Sequence, residues 1–120
     1  MVGGPSSFSQ GGWDGATVGR ALPIELLGQD EALKAATVQM RRAEFKLQVS
    51  HEGLRSAMLK LADDPELNKE KWQELPDLLG YNPLGAAKPG ARVLALHPLS
   101  QPNREKIILA EQRYGRGRSM

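Results

Sequence analysis

The sequence has no cysteine and few aromatic residues. Its 120 residues include two Trp, two Tyr and two Phe, or 5% aromatics, and no Cys at all. The absence of cysteine excludes disulfides, thiol nucleophiles and thiolate metal ligands, and it is in keeping with an intracellular protein. The shortage of large aromatic side chains predicts that the chain does not build an extensive core by itself.

Long apolar runs and a strong net charge are also missing. No stretch approaches the roughly 18 consecutive apolar residues of a transmembrane helix, so we expect no membrane span. The N-terminal stretch MVGGPSSFSQGGW has neither the basic nor the apolar region of a secretory signal, and no Arg precedes Arg20 as a mitochondrial presequence would require. The net charge is +2, which does not demand a strongly acidic partner.

Catalytic motifs are missing as well. His51 and His97 show no metal-ligand spacing to each other or to a pair of carboxylates. No Ser lies in a G-x-S-x-G elbow, and the Gly-rich N-terminal segment lacks the Gly-Lys-Ser/Thr ending of a phosphate-binding loop. Helix capping explains the acidic residues Asp63, Asp64 and Glu66. The sequence therefore predicts a non-enzymatic protein without a metal or cofactor.

The most regular feature present is a seven-residue rhythm between Asp30 and Ala62. Large apolar residues recur at every seventh position, and Ala or Ser follows three residues after the first four of them, which is typical of a helix with a coiled-coil seam. A helix of about 32 residues would be ~48 Å long, whereas a compact chain of this size is about 35 Å across. We therefore expect a bend near Gly53 or a covering partner. The large seam residues are Leu33, Met40, Leu47, Leu54 and Leu61.

A second apolar row on the same stretch includes Val38 and Phe45, at positions that an ordinary amphipathic helix leaves in water. Apolar residues on two sides predict contacts on two sides. Trp13 stands alone in a Gly/Ser background, where it either anchors a flexible arm in a partner or packs on this chain's own helix. Trp72 is expected on the apolar face of a second helix. We predict that these four residues and the seam bind protein partners.

Four segments organise the expected fold. We predict a Gly/Ser-rich arm over residues 1–29, a helical hairpin over 30–80, a Pro/Gly-rich extended segment over 81–102, and a short helix with a basic tail over 103–120. The fold class expected is mostly α, with one long helix, a folded-back second helix and a short C-terminal helix between irregular arms. Within the third segment only ARVLAL has strand character, and it has no evident partner strand.

The second helix of the hairpin has clear local signals. Asp64 suits the N-cap, Pro65 the first helical position and Glu66 the first turn. We expect this helix to run to about Leu75, where Pro76 disturbs it.

Near the C-terminus the sequence reads RYGRGR, in which arginines and a tyrosine alternate with glycines. Such residues can follow phosphates and stack on bases. An accessory subunit of a ribosome or of a mitochondrial complex, contacting RNA or protein through its arms and this tail, is therefore an alternative function. The RNA-contact residues expected in that case are Arg113, Tyr114, Arg116 and Arg118.

The stretch LRSAMLKLADDPELNKEKWQELPDLLG resembles the helix-hairpin pattern of small microtubule inner proteins of ciliary doublets. In that pattern an Arg/Leu-rich helix leads to an acidic residue, an aromatic residue, Glu-Leu and Gly. Pro65 and the upstream position of Arg41-Arg42 depart from it. The resemblance implies a non-enzymatic part that lies on tubulin and stabilises the doublet wall in a cilium or flagellum. The matching residues are Leu54, Arg55, Leu59, Leu61, Glu66, Trp72, Glu74, Leu75 and Gly80.

Overall fold

The computed structural model describes residues 7–13, 15–39, 44–102 and 105–120. Within these residues the chain combines short helices with an antiparallel sheet, so the fold is α/β and the prediction of a mostly α fold is wrong. The helices are α1 (Thr17–Ala21), α2 (Gln29–Gln39), α3 (His51–Leu54) and α4 (Pro65–Glu74), with 3-10 turns at Phe8–Gly11 and Ala57–Leu59. The strands are β1 (Gln48–Val49), β2 (Arg92–Leu96), β3 (Ile107–Tyr114) and β4 (Gly117–Ser119).

The long helix predicted between Asp30 and Ala62 does not form. Helix α2 covers only the first third of this stretch, and residues 44–49 are extended. Phe45 exchanges backbone hydrogen bonds with Leu78, and strand β1 pairs with β2. These pairings join segments far apart in sequence, and they override the local seven-residue rhythm. The predicted coiled coil and helical hairpin are therefore wrong.

The sheet has the order β1-β2-β3-β4 and is antiparallel throughout. Strand β3 occupies the stretch that was expected to form the C-terminal helix, because its Ile-rich start pairs with β2. Strand β2 lies within ARVLAL, so this stretch has the partner strand that the sequence did not reveal. Gly115, at φ 57°, and Arg116 form the two-residue loop between β3 and β4, where a positive φ favours glycine.

One face of the sheet carries the main core. Ile107 and Ala110 of β3 pack with Phe8, Leu22 and Ile24 from the N-terminal part of the chain. The side chain of Gln112 donates hydrogen bonds to the carbonyls of Ala21 and Leu22, at 2.9 and 2.8 Å. Phe8, Leu22 and Ile24, which lie in the predicted N-terminal arm, thus belong to this chain's own core.

Helix α3 directly follows strand β1 and packs against strand β2. Ser50 caps this helix, since its Oγ accepts a hydrogen bond from the amide of Gly53 at 2.9 Å. The same Oγ donates to the carbonyl of Val93 at 2.6 Å, which fixes α3 to β2. Gly53 lies against the backbone of Leu94, so this glycine marks a close approach of α3 to β2, one of the roles that a glycine in this stretch predicts.

Helix α4 begins as the sequence predicts. The Oδ1 atom of Asp64 accepts a hydrogen bond from the amide of Leu67 at 2.9 Å, and Pro65 occupies the first turn. The helix ends at Glu74, close to the predicted end at Leu75. In the described part of the chain no helix combines the length and the apolar character needed to cross a membrane.

Candidate interaction surfaces

Helix α4 and its flanks expose large apolar side chains. The helix buries a single residue, Asn68, which is polar and only 3% exposed. Leu67, by contrast, is 45% exposed, and Leu79, just beyond the helix, is 68% exposed. Six large apolar residues of this segment are exposed, and we call this set the 58–79 surface. They are Met58, Leu61, Leu67, Leu75, Leu78 and Leu79.

Side-chain hydrogen bonds help to hold this region together. The Oδ1 atom of Asn68 accepts from the amides of Leu61 and Ala62, at 2.7 and 3.3 Å. The indole Nε1 of Trp72 donates to the carbonyl of Leu59 at 2.8 Å. Leu59 is the buried leucine of this segment, at 7% exposure, whereas the leucines of the 58–79 surface stay exposed.

An ion pair secures the far end of the 58–79 surface. The ammonium of Lys46 lies 2.9 Å from a carboxylate oxygen of Asp77 and also donates to the carbonyl of Leu75. Both charged side chains are more than a third exposed, so the pair positions the loop more than it stabilises the fold.

The predicted partner-binding residues do not share one surface. Trp13, Leu33 and Leu61 are exposed, and only Leu61 belongs to the 58–79 surface. Leu47, Leu54 and Trp72 are partly buried, and Phe45 is buried within the fold. Val38 lies on α2, and Met40 falls outside the described residues. Of the six residues of the 58–79 surface, the seven-residue pattern therefore predicted only Leu61.

Buried Phe45 belongs to a ring cluster with Tyr81 and His97. Its ring centroid lies 4.1 Å from that of His97 and 5.8 Å from that of Tyr81. Burial, and to a lesser extent the charge of Lys106, lowers the pKa of His97 below its usual value of 6.5. The Nδ1 atom of His97 accepts a hydrogen bond from the amide of Leu99 at 3.0 Å, which requires that nitrogen to be unprotonated.

The four predicted RNA-contact residues lie on the β3–β4 hairpin and not on a tail. Arg113, Tyr114, Arg116 and Arg118 are all exposed. Arg113 and Arg118 are direct partners across the two strands, whereas Arg116 lies in the loop. Sequence reasoning missed the residues beside them, Arg92 and Glu111, because only the pairing of β2 with β3 brings them together.

Comparisons with known proteins give no relative from which a function follows. No protein-family model, no curated protein and no solved structure matches the chain. Among the residues that the structure describes, no three His, Asp or Glu side chains are grouped as they would be around a metal ion.

Proposed function

We propose that this chain is a non-enzymatic structural subunit that packs into a larger protein assembly through the 58–79 surface. The observation that carries the proposal is the concentration of exposed apolar residues there. Six large apolar side chains are exposed between Met58 and Leu79, and the helix among them buries only an asparagine. A contiguous exposed apolar patch marks a protein interface, whereas single exposed leucines are ordinary, and we infer such a patch from the grouping of these residues in one segment.

The way the segment is built supports the same proposal. A helix that served only this chain's own core would direct its leucines inward. Here Leu67 of helix α4 is exposed, and the side chains of Asn68 and Trp72 bind the backbone of Leu61 and Leu59 and so hold the segment in place. A preformed apolar surface loses less conformational freedom when a partner covers it, and this favours binding.

The partner is a protein surface of apolar character. Tubulin, and with it a location in a cilium or flagellum, is supported only by the sequence resemblance between Leu54 and Gly80. Since the helical hairpin of that resemblance does not form, tubulin stays a prediction from sequence.

Replacing leucines on the 58–79 surface tests the proposal. In source cells, the wild-type chain is expected to sediment with a complex much larger than its own 13.1 kDa. The double variant Leu67→Asp, Leu79→Asp is expected to sediment as a free chain, because two charges in an apolar interface would have to be desolvated. Circular dichroism of both purified chains checks that the fold is retained.

A matched pair of exposed residues provides the control. Val18 and Leu99 are also exposed but lie outside the 58–79 surface. The variant Val18→Asp, Leu99→Asp is expected to remain in the complex. A wild-type chain that sediments alone, or a control variant that is released equally, would show the proposal to be wrong.

The β3–β4 hairpin favours a second candidate function, contact with RNA. Three exposed arginines and Tyr114 lie on this one hairpin, and such residues bind phosphates and stack on bases. Fluorescence anisotropy with a ribosomal RNA fragment tests it. Binding that weakens steeply with salt and is reduced in Arg116→Gln supports RNA contact, and binding that is absent at low salt excludes it.

A further inference from the structure

Two arginines converge on one buried carboxylate of strand β3. Glu111 is only 4% exposed, and its Oε1 lies 3.2 Å from Nη1 of Arg92. Its Oε2 lies 4.0 Å from Nη1 of Arg118. Arg92 also pairs with Glu52 of helix α3, at 3.1 Å. The charges therefore alternate in a row from Glu52 to Arg118.

Arg113 adds a positive charge that this row does not neutralise. It follows Glu111 by two positions on β3, so both side chains lie on the same face. Its direct cross-strand partner is Arg118, and like charges directly opposite each other repel. No carboxylate in the described part of the chain forms an ion pair with Arg113. Three arginines against two glutamates leave one unbalanced positive charge.

These side chains line a cleft of about 340 Å³. Its lining residues include Arg92, Glu111, Arg113 and Arg118, with the turn at Pro89 and Gly90 on the side of β2. A β-carbon on Gly90 would contact nothing within 4 Å, so the space beside this turn is open. The volume lies at the lower end of the roughly 300–1,000 Å³ range of small-molecule sites.

We propose that this cleft binds a carboxylate, held between the guanidinium groups of Arg113 and Arg118. Guanidinium forks match the planar, two-oxygen geometry of a carboxylate. A single negative charge would balance the single excess positive charge and relieve the repulsion between the two arginines, whereas a phosphate dianion would leave an excess of negative charge beside Glu111. Arg92 is already engaged by Glu111 and Glu52, so its role is to hold the buried carboxylate and shape the cleft.

The carboxylate could belong to a small acid or to an acidic side chain of a peptide. Titration of the full ¹⁵N-labelled chain with sodium propionate, a monocarboxylate, and, separately, with the peptide acetyl-Gly-Glu-Gly-amide distinguishes these sources. Nε–Hε resonances of Arg113 and Arg118 are expected to shift with saturation for at least one of the two probes. The probe that saturates at the lower concentration identifies the source. If neither probe gives saturable shifts, the proposal fails.

Arg116 offers a matched control, since it lies on the same hairpin but does not line the cleft. Arg113→Gln is expected to weaken binding by about tenfold or more, as for the loss of one charge-assisted contact. Arg116→Gln removes the same charge and is expected to weaken it by less than about twofold, since an exposed charge outside the site contributes little. If the two variants lost affinity equally, binding would depend on the general positive charge of the hairpin and not on a specific site, and the proposal would be wrong.

Two further measurements complete the test. If Arg113→Gln does not fold, Arg113→Lys is the second variant, because it keeps the positive charge but lacks the planar guanidinium group. Carboxylate binding by Arg113→Lys as strong as that of the wild type would contradict the proposed geometry. Inorganic phosphate and a dinucleotide serve as competing probes, and tighter binding of either would replace carboxylate by phosphate as the ligand. The 58–79 surface shares no residue with this cleft, so the outcome is independent of the proposed structural function. RNA contact would share Arg113 and Arg118, and the dinucleotide distinguishes it from carboxylate binding.

Discussion

The carbonyl oxygen of Leu94 lies so close to Gly53 that a β-carbon on Gly53 would overlap it. The side chain of Val49 closes the same space, with its Cγ1 2.7 Å from the position of that β-carbon. Helix α3 can therefore lie on strand β2 only if residue 53 has no side chain.

Gly53→Ala is expected to lower the free energy of unfolding by about 1–3 kcal/mol or more, because the obstructing atom belongs to the backbone of a buried strand. Urea unfolding measures the change. Gly80→Ala is the control, since a β-carbon there meets nothing within 4 Å, and we expect a change within about 0.5 kcal/mol. A Gly53 variant as stable as the wild type would contradict this packing of α3.

Asn68 is expected to be essential for the 58–79 surface. Asn68→Ala removes the acceptor of two backbone amides, those of Leu61 and Ala62, and should destabilise the fold by about 1–3 kcal/mol. Hydrogen exchange at these two amides gives the specific readout, and both should exchange faster. Lys69→Ala, at an exposed neighbour, should change neither quantity.

His97 is expected to make stability depend on pH. Its pKa is lowered in the folded state, so below about pH 6.5 the unfolded chain binds a proton that the folded chain does not. The free energy of unfolding should therefore fall as the pH drops through 6.5 toward the folded pKa, and His97 should contribute no slope above about pH 7.5.

Urea unfolding between pH 5 and 8 checks this. His97→Gln should be less stable than the wild type at pH 7.5, because it loses the contact of the ring with Phe45. Its free energy of unfolding should also depend less on pH, because the titrating group is gone. His51→Gln, at an exposed histidine, should keep the slope. If the two variants have equal slopes, His97 is not the responsible group.

Glu111→Gln is expected to destabilise the chain by roughly 1–3 kcal/mol. The amide keeps the size of the side chain but leaves Arg118 without a described carboxylate partner and Arg92 with Glu52 alone. We place the effect below that of a fully buried ion pair, because both arginines are largely in contact with water. A double-mutant cycle with Arg92→Gln isolates the pair, and a coupling energy near zero would contradict a stabilising contact.

The sequence predicted those parts of the fold that local chemistry determines. Asp64 and Pro65 start a helix because a side-chain acceptor and a fixed φ suffice for this, whatever lies elsewhere in the chain. The extended course of much of residues 81–102 follows in the same way from the density of Pro and Gly.

The sheet could not be predicted in this way, because strand pairing joins distant segments. Gln48 pairs with Leu96, and Arg92 pairs with Glu111, and neither pair leaves a periodic trace in the sequence. A missed signal did exist in the C-terminal hairpin, where Gly115-Arg116 separates Tyr114 from Gly117 as a two-residue hairpin loop does. The cleft lined by Arg92, Arg113 and Arg118 could not be predicted either, because only the pairing of distant strands brings these residues together.

The hydrogen bond from Gln112 to the carbonyl of Leu22 spans 90 positions of the chain. The carbonyl acceptor is therefore synthesised long before the glutamine that binds it. A ribosome that has released the residues up to about 100 has exposed Phe8, Leu22 and Ile24 but not the strand that covers them. For several seconds, at the usual rates of ~5–20 residues per second, these apolar side chains depend on chaperones or remain open to proteases.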